Sequence, residues 1–206
     1  MSQPLDRLLA EIRSCRRCRD DPERTPLPHE PRPVLRVSAT ARILIVGQAP
    51  GTKVHASGKP FDDRSGDRLR SWMDVPHEVF YDETRIAIAP MGFCFPGQDA
   101  KGGDLPPRRE CAPLWRRRLM AELRLVDLVL LVGGYAQCWH LGLENGATLT
   151  QTVRAGPRTV ALTESRQALA VPLPHPSWRN TGWLKSNRWF EAEIVPALRG
   201  LVAGRL

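Results

Sequence analysis

Short apolar runs that each end in a glycine or proline turn constrain this chain most. Ile43–Val46 is wholly apolar, and three of its four residues are β-branched, before the chain enters Gly47-Gln48-Ala49-Pro50-Gly51. That pattern predicts a buried strand ending in a loop that brings backbone close to a partner. Thr84–Pro90 and Leu125–Val132 repeat it, running into Met91-Gly92-Phe93-Cys94 and Gly133-Gly134, and a fourth run, Ala168–Leu173, precedes Pro174-His175-Pro176-Ser177. Helical spacing marks Asp6–Ile12, Ser65–Met73, Cys111–Leu123, Tyr135–Leu143 and Asn187–Arg199, the last of which Pro196 is expected to kink or end early. Strands alternating with helices predict an α/β fold, a three-layer α/β/α sandwich with a central, mainly parallel four-stranded sheet. Ligands of such sheets bind at the carboxyl ends of the strands, so the loops beginning at Gly47, Met91 and Pro174 should share one edge.

The first of these loops carries more than a bend. Gly47 and Gly51 uncover main-chain N–H groups, Pro50 stiffens the turn, and Gly58-Lys59-Pro60-Phe61 closes the segment with a ring held behind a proline, a place for a flat ligand to stack. Glycines that only make a βα turn are the bland alternative. With 206 residues and 42% hydrophobic content, the chain can bury one sizeable core, so residues 1–206 are read as a single domain. A formal net charge of +8, largely from arginine, favours a phosphate-rich partner over a neutral small molecule. No apolar run approaches a membrane span and the N-terminus lacks a signal-peptide core, so a cytoplasmic protein with no membrane partner is expected.

Cysteine spacing is the strongest chemical signal. Cys15 and Cys18 form a Cys-x-x-Cys pair after the first amphipathic helix, and Cys94 and Cys111 flank a Gly/Pro-rich loop. Between the pairs, prolines 22, 26, 28, 31 and 33 rule out regular helix or a central strand and predict an extended strap. Four thiols in a cytosolic chain suit zinc or an iron-sulfur cluster, and spacing does not choose between them. Cys138, in a predicted helix, is left over as an ordinary cysteine.

Taken together, these residues resemble the uracil-DNA glycosylase superfamily, and most closely its iron-sulfur branch, family 4. The resemblance rests on Gly47-Gln48-Ala49-Pro50-Gly51 followed by Gly58-Lys59-Pro60-Phe61, on His175-Pro176-Ser177, and on Cys15, Cys18, Cys94 and Cys111, all in the family order. It implies a DNA-repair enzyme that hydrolyses the N-glycosidic bond of flipped-out uracil, with uracil-containing DNA as partner, free uracil as product, and a monomeric state. It also implies a structural 4Fe-4S cluster on the four cysteines, pinning an N-terminal cluster-binding segment to the core. Gly47, Gln48, Ala49, Phe61, Met91 and His175 would bind the base, with Phe61 as the stacking ring and His175 and amides near Gln48 donating to the base oxygen. Gly51, Ser177, Trp178, Arg179 and Asn180 would contact DNA, Ser177 at a flanking phosphate and the residues after it in the gap left by the flipped base.

Three departures from the family pattern qualify those roles. Gln48 stands where family 4 has a glutamate, and Ala49 where family 1 has its water-activating aspartate. Pro90 replaces the asparagine that reads the uracil edge, leaving main-chain atoms near Met91–Phe93 or another loop for that task. Asp62 and Asp63, next to Phe61, are candidate water activators, or solvated acids at a helix start. The missing asparagine keeps open a glycosylase for another deaminated base, hypoxanthine or xanthine, and the alternative from another class is a non-catalytic damaged-DNA-binding protein on the same fold.

Overall fold

The computed structural model describes residues 3–143 and 147–206. Its centre is a five-stranded sheet: β1 (Ile43–Val46), β2 (Ile86–Ile88), β3 (Leu128–Val132), β4 (Arg158–Ala161) and β5 (Gln167–Leu173), in the order β2-β1-β3-β5-β4. β1 pairs in parallel with β2 and β3, and β3 with β5. Only β4 runs antiparallel, as the hairpin partner of β5.

The fifth strand corrects the four-stranded expectation. β4 reads Arg-Thr-Val-Ala, lies at the sheet edge, and buries only Val160, so it lacks the apolar run that betrays an inner strand. β1, β2 and β3 bury every residue, and period-2 alternation sends successive side chains to opposite layers. Leu44, Val46, Ala87, Ala89, Val129 and Leu131 face one layer, formed by the helices Gln3–Arg13 and Cys111–Glu122. Ile43, Ile45, Ile88, Leu128, Leu130 and Val132 face the other, formed by Arg64–Met73 and the C-terminal helix. The α/β/α sandwich follows directly.

The proline strap is fastened rather than loose. Arg36 bridges antiparallel to Ile88, exchanging N–H···O bonds of 2.9 and 2.6 Å, and the Val34 N–H donates to the Phe93 carbonyl at 2.7 Å. The strap thereby covers the open edge of β2. At the C-terminus, Pro196 does not end its helix. A π-helical turn over Phe190–Ile194 comes first and α-helix continues over Val195–Ala203, so the missing proline N–H falls at the start of the final segment, where it costs little. No helix among the described residues is long and apolar enough to cross a membrane.

Candidate active site at the carboxyl edge of the sheet

Because β1, β2, β3 and β5 are mutually parallel, the loops that follow them meet at one edge. The Met91 N–H donates to the Gly47 carbonyl and the Gly92 N–H to the Gln48 carbonyl, both at 2.9 Å, stitching the β2 loop to the β1 loop. Peptide units are planar and trans, so the N–H groups of Gln48 and Ala49 point the opposite way, off the β2 loop. The Gly133 N–H bonds the Leu173 carbonyl at 2.9 Å, and a Cβ on Gly133 would lie 3.5 Å from that of His175. A glycine with φ +86° thus seats the histidine.

Phe61 occupies a left-handed conformation, φ 55°, uncommon for a bulky residue. Its carbonyl accepts the Tyr81 hydroxyl at 3.0 Å, its ring meets Phe80 edge-on at 6.2 Å, and a Cβ on Gly47 would lie 3.2 Å from its Cζ. The ring therefore lies against the β1 loop. Two residues on, Asp63 caps the helix Arg64–Met73, which begins one residue before the expected Ser65: its Oδ1 accepts from the Ser65 and Gly66 amides at 2.9 and 3.0 Å and from the Ser65 hydroxyl. Asp62 is exposed, whereas Asp63 is half-buried and its charge acts on His175.

His175 is the chemical centre of this edge. The Ser177 N–H donates to His175 Nδ1 at 3.3 Å, which makes Nδ1 an acceptor and leaves the imidazole proton on Nε2. Burial lowers the pKa of His175 below its ordinary value, with Asp63 and Asp104 opposing the shift, so the ring is neutral at pH 7. Asn180 donates to the His175 carbonyl at 2.8 Å, and Arg68 donates to the carbonyls of Pro176 and Ser177 at 3.1 and 3.3 Å. Both brace the loop. Trp178 is 78% exposed, with the Arg179 guanidinium 5.8 Å over its ring.

Several candidates sit differently from expectation. Met91 is buried in the core layer, and the amides of Met91, Gly92 and Phe93 are committed to Gly47, Gln48 and Cys111 Sγ, so that stretch has no amide donor left for a base edge. Gln48 turns its amide to the Leu105 carbonyl at 3.3 Å. Asp104, on the loop between Cys94 and Cys111, reaches the site without any sequence signal, since a carboxylate in a polar loop reads as solvated. Its charge acts on His175, and a Cβ on Gly51 would lie 3.0 Å from its Oδ2.

A family model described as the uracil DNA glycosylase superfamily matches residues 36–199. The chain belongs to that superfamily. Superfamily membership points to a DNA glycosylase, a hydrolase of DNA repair with DNA as its partner, and the matched span contains the Gly47–Gly51 loop, Phe61 and His175-Pro176-Ser177.

Cys15 and Cys18 precede the span matched to the superfamily, yet they line the same cavity as Cys94 and Cys111, with Phe93 and Trp115 among its apolar walls. Burial pushes the Cys94 and Cys111 thiols up to about 12, and the charge of one cysteine would act on another across the set. The Phe93 N–H donates to Cys111 Sγ at 3.4 Å. Among the described residues no group of three or more His, Cys, Asp or Glu side chains is arranged to hold a metal ion. Arg16 and Arg17, beside the first pair, meet Asp20, Glu30 and Asp21, and Arg19 meets Glu30, in exposed ion pairs.

Proposed function

We propose that the chain is a uracil-DNA glycosylase of the iron-sulfur branch, hydrolysing the N-glycosidic bond of flipped-out uracil to leave an abasic site and free uracil. The observation that carries this reading is the neutral His175, its Nε2–H fixed by the Ser177 amide, beside Asp63 and on the same strand edge as the Phe61 ring.

Extruding a base costs stacking, which Phe61 restores on one face of the uracil. As the C1′–N1 bond breaks, its electron pair leaves with the base, and negative charge develops on a uracil oxygen. His175 Nε2–H donates there as a neutral group, aided by the Gln48 and Ala49 amides. A water oxygen bonds to C1′ on the opposite side, and Asp63 takes its proton through the carboxylate oxygen not used for capping. Ser177 holds a flanking phosphate, and the exposed Trp178 with Arg179 fills the vacated place in the stack.

Cys15, Cys18, Cys94 and Cys111 would hold the 4Fe-4S cluster. Four cysteines lining one cavity, one already accepting a backbone N–H, supply the thiolate chemistry that such a group takes, although the side chains as placed are not gathered around a metal position. When bound, it supplies a cross-link between the N-terminal segment and the loop closed by Cys111. Hydrolysis asks no electron of it.

Single-turnover release of base from uracil-containing oligonucleotides tests the assignment. His175→Ala should slow release about 100-fold or more, as loss of a donor to a developing anion does. Phe61→Ala should slow it about tenfold, in keeping with ~1–3 kcal/mol of stacking. Faster release of hypoxanthine or xanthine by the parent would replace uracil as the substrate. Tight binding of uracil-DNA without release would leave a damage-binding protein.

A further inference from the structure

The loop between Cys94 and Cys111 folds back on itself as a small hairpin. Gln98 bridges antiparallel to Asp104, the Asp99 N–H donates to the Gly103 carbonyl at 2.8 Å, and the Leu105 N–H donates to the Gly97 carbonyl at 2.9 Å. Asp99 Oδ1 sits inside the turn, accepting the Lys101 and Gly103 amides at 2.8 Å each. Three consecutive residues on the returning arm then touch the site. Gly103 lies beside the loop after β5, where a Cβ would come 3.3 Å from Arg179 Nη2. Asp104 Oδ2 is 3.0 Å from where a Gly51 Cβ would stand, and the Leu105 carbonyl accepts Gln48 Nε2 at 3.3 Å. The hairpin is thus fixed between the β1 loop and the loop after β5, with Asp104 at the join.

Asp99 is taken up by its own turn, but the carboxylate of Asp104 is not. Its hydrogen-bond partner among the described residues is Gln98 Nε2 at 3.5 Å, beyond ordinary hydrogen-bond length, and no cation among them forms an ion pair with it. It is also exposed. An uncommitted anion on an edge that must receive phosphates weakens DNA binding, so its place there calls for a function. Bond breaking supplies one. Cleaving C1′–N1 leaves positive charge on the sugar, yet Gly47-Gln48-Ala49-Pro50-Gly51 contains no acid, and Asp63 becomes neutral as it takes the water proton. The Phe61 ring lies at the Gly47 end of that loop and Asp104 at the Gly51 end. A base stacked on the half-buried ring leaves its sugar, still joined to the flanking phosphates, on the exposed side where Asp104 stands. The charge of Asp104 also acts on His175, in keeping with a place at the slot.

We propose that Asp104 is a catalytic carboxylate, held by its hairpin against Gly51, that stays ionised and stabilises the cationic sugar as the base departs. The inference deepens the glycosylase reading given above and rests on it. The carboxylate exchanges no proton and forms no bond: the C1′–N1 electron pair leaves with the base, the water oxygen closes on C1′, and the water proton goes to Asp63. Bound DNA covers the hairpin and excludes water, which strengthens the attraction between carboxylate and sugar. The hairpin's own hydrogen bonds fix the carboxylate before substrate arrives, so bond breaking needs no reorganisation of this loop.

The test separates recognition of charge from turnover. Affinities of the parent and of Asp104→Asn are measured for two duplexes with different abasic-site analogues, a protonated, cationic pyrrolidine and a neutral tetrahydrofuran of similar shape. Single-turnover release of uracil is followed in parallel. Asparagine keeps the size of the side chain and the contact from Gln98 at an exposed position, so the fold is not at stake. The parent should prefer the pyrrolidine by about tenfold or more, as a mimic of the charged sugar. Asp104→Asn should lose most of that preference, bind the tetrahydrofuran duplex at least as tightly as the parent, and release uracil about tenfold more slowly. Displacement of the loop alone would not remove the preference for the cation. A variant that keeps both preference and rate overturns the role of Asp104 and leaves the glycosylase reading standing. Slow release with the preference intact would assign Asp104 to holding the loop, and overturns it as well. A parent that releases no base removes the glycosylase reading and this inference together.

Discussion

At the residue scale, two neighbouring aspartates separate cleanly. Asp62 is exposed, while Asp63 is half-buried, acts electrostatically on His175, and spends only Oδ1 on its helix cap. Asparagine caps helices about as well as aspartate, so Asp63→Asn removes the proposed general base and keeps the fold. Under single-turnover conditions it should slow base release about 100-fold or more, with an unfolding midpoint close to that of the parent. Asp62→Asn should stay within about twofold. Equal losses from the two would remove Asp63 from the proposed role. The pair was legible in sequence as two candidates. The choice was not, because it depends on which carboxylate the turn after Phe61 points inward.

At the element scale, the segment Phe61–Gly66 is one device, in which a strained residue, a cap and a glycine depend on each other. Phe61 holds φ 55°, Asp63 caps the helix, and a Cβ on Gly66 would lie 1.8 Å from the Phe61 carbonyl oxygen, far inside contact distance. Gly66→Ala must push that carbonyl away, breaking its bond from Tyr81 and tilting the stacking ring. We expect a cost of about 2 kcal/mol, hence a midpoint lower by roughly 4–8 °C. Base release should also slow more than the stability loss explains. A variant with the parent's midpoint and rate would show that the helix start relaxes freely. The sequence located this helix to within a residue, since Leu69, Trp72 and Met73 carry its apolar face. It assigned the start to Ser65, because serine and aspartate are comparable caps and only the backbone decides which one stands outside the helix.

At the scale of the whole molecule, three buried or half-buried histidines favour the neutral form when folded. Burial is the main cause in each: it lowers His55 and His175, and takes His140 down to about 3. The unfolded chain binds protons at these sites from about pH 6.5 downward while the folded chain refuses them, so their contribution to stability falls as pH drops below that value. The unfolding midpoint should therefore decline between about pH 7.5 and pH 5, and His140→Phe should shrink the decline. An identical decline in that variant would acquit His140.

The apolar runs, their glycine and proline stops, and the strand-helix alternation were enough to fix the α/β class and the edge where the loops meet, because side-chain burial at period 2 and period 3.6 is written locally. The same local record held the motif residues Phe61 and His175 and the four cysteines. The tertiary structure alone decided the rest. β4 is an edge strand stabilised by pairing rather than by its own apolar content. The amides of Met91–Phe93 are consumed by partners far away in sequence, or by Cys111. Asp104 enters the site by loop geometry, and Arg116, which on an amphipathic helix reads as a solvated cation, is turned inward among groups that no local pattern brings together.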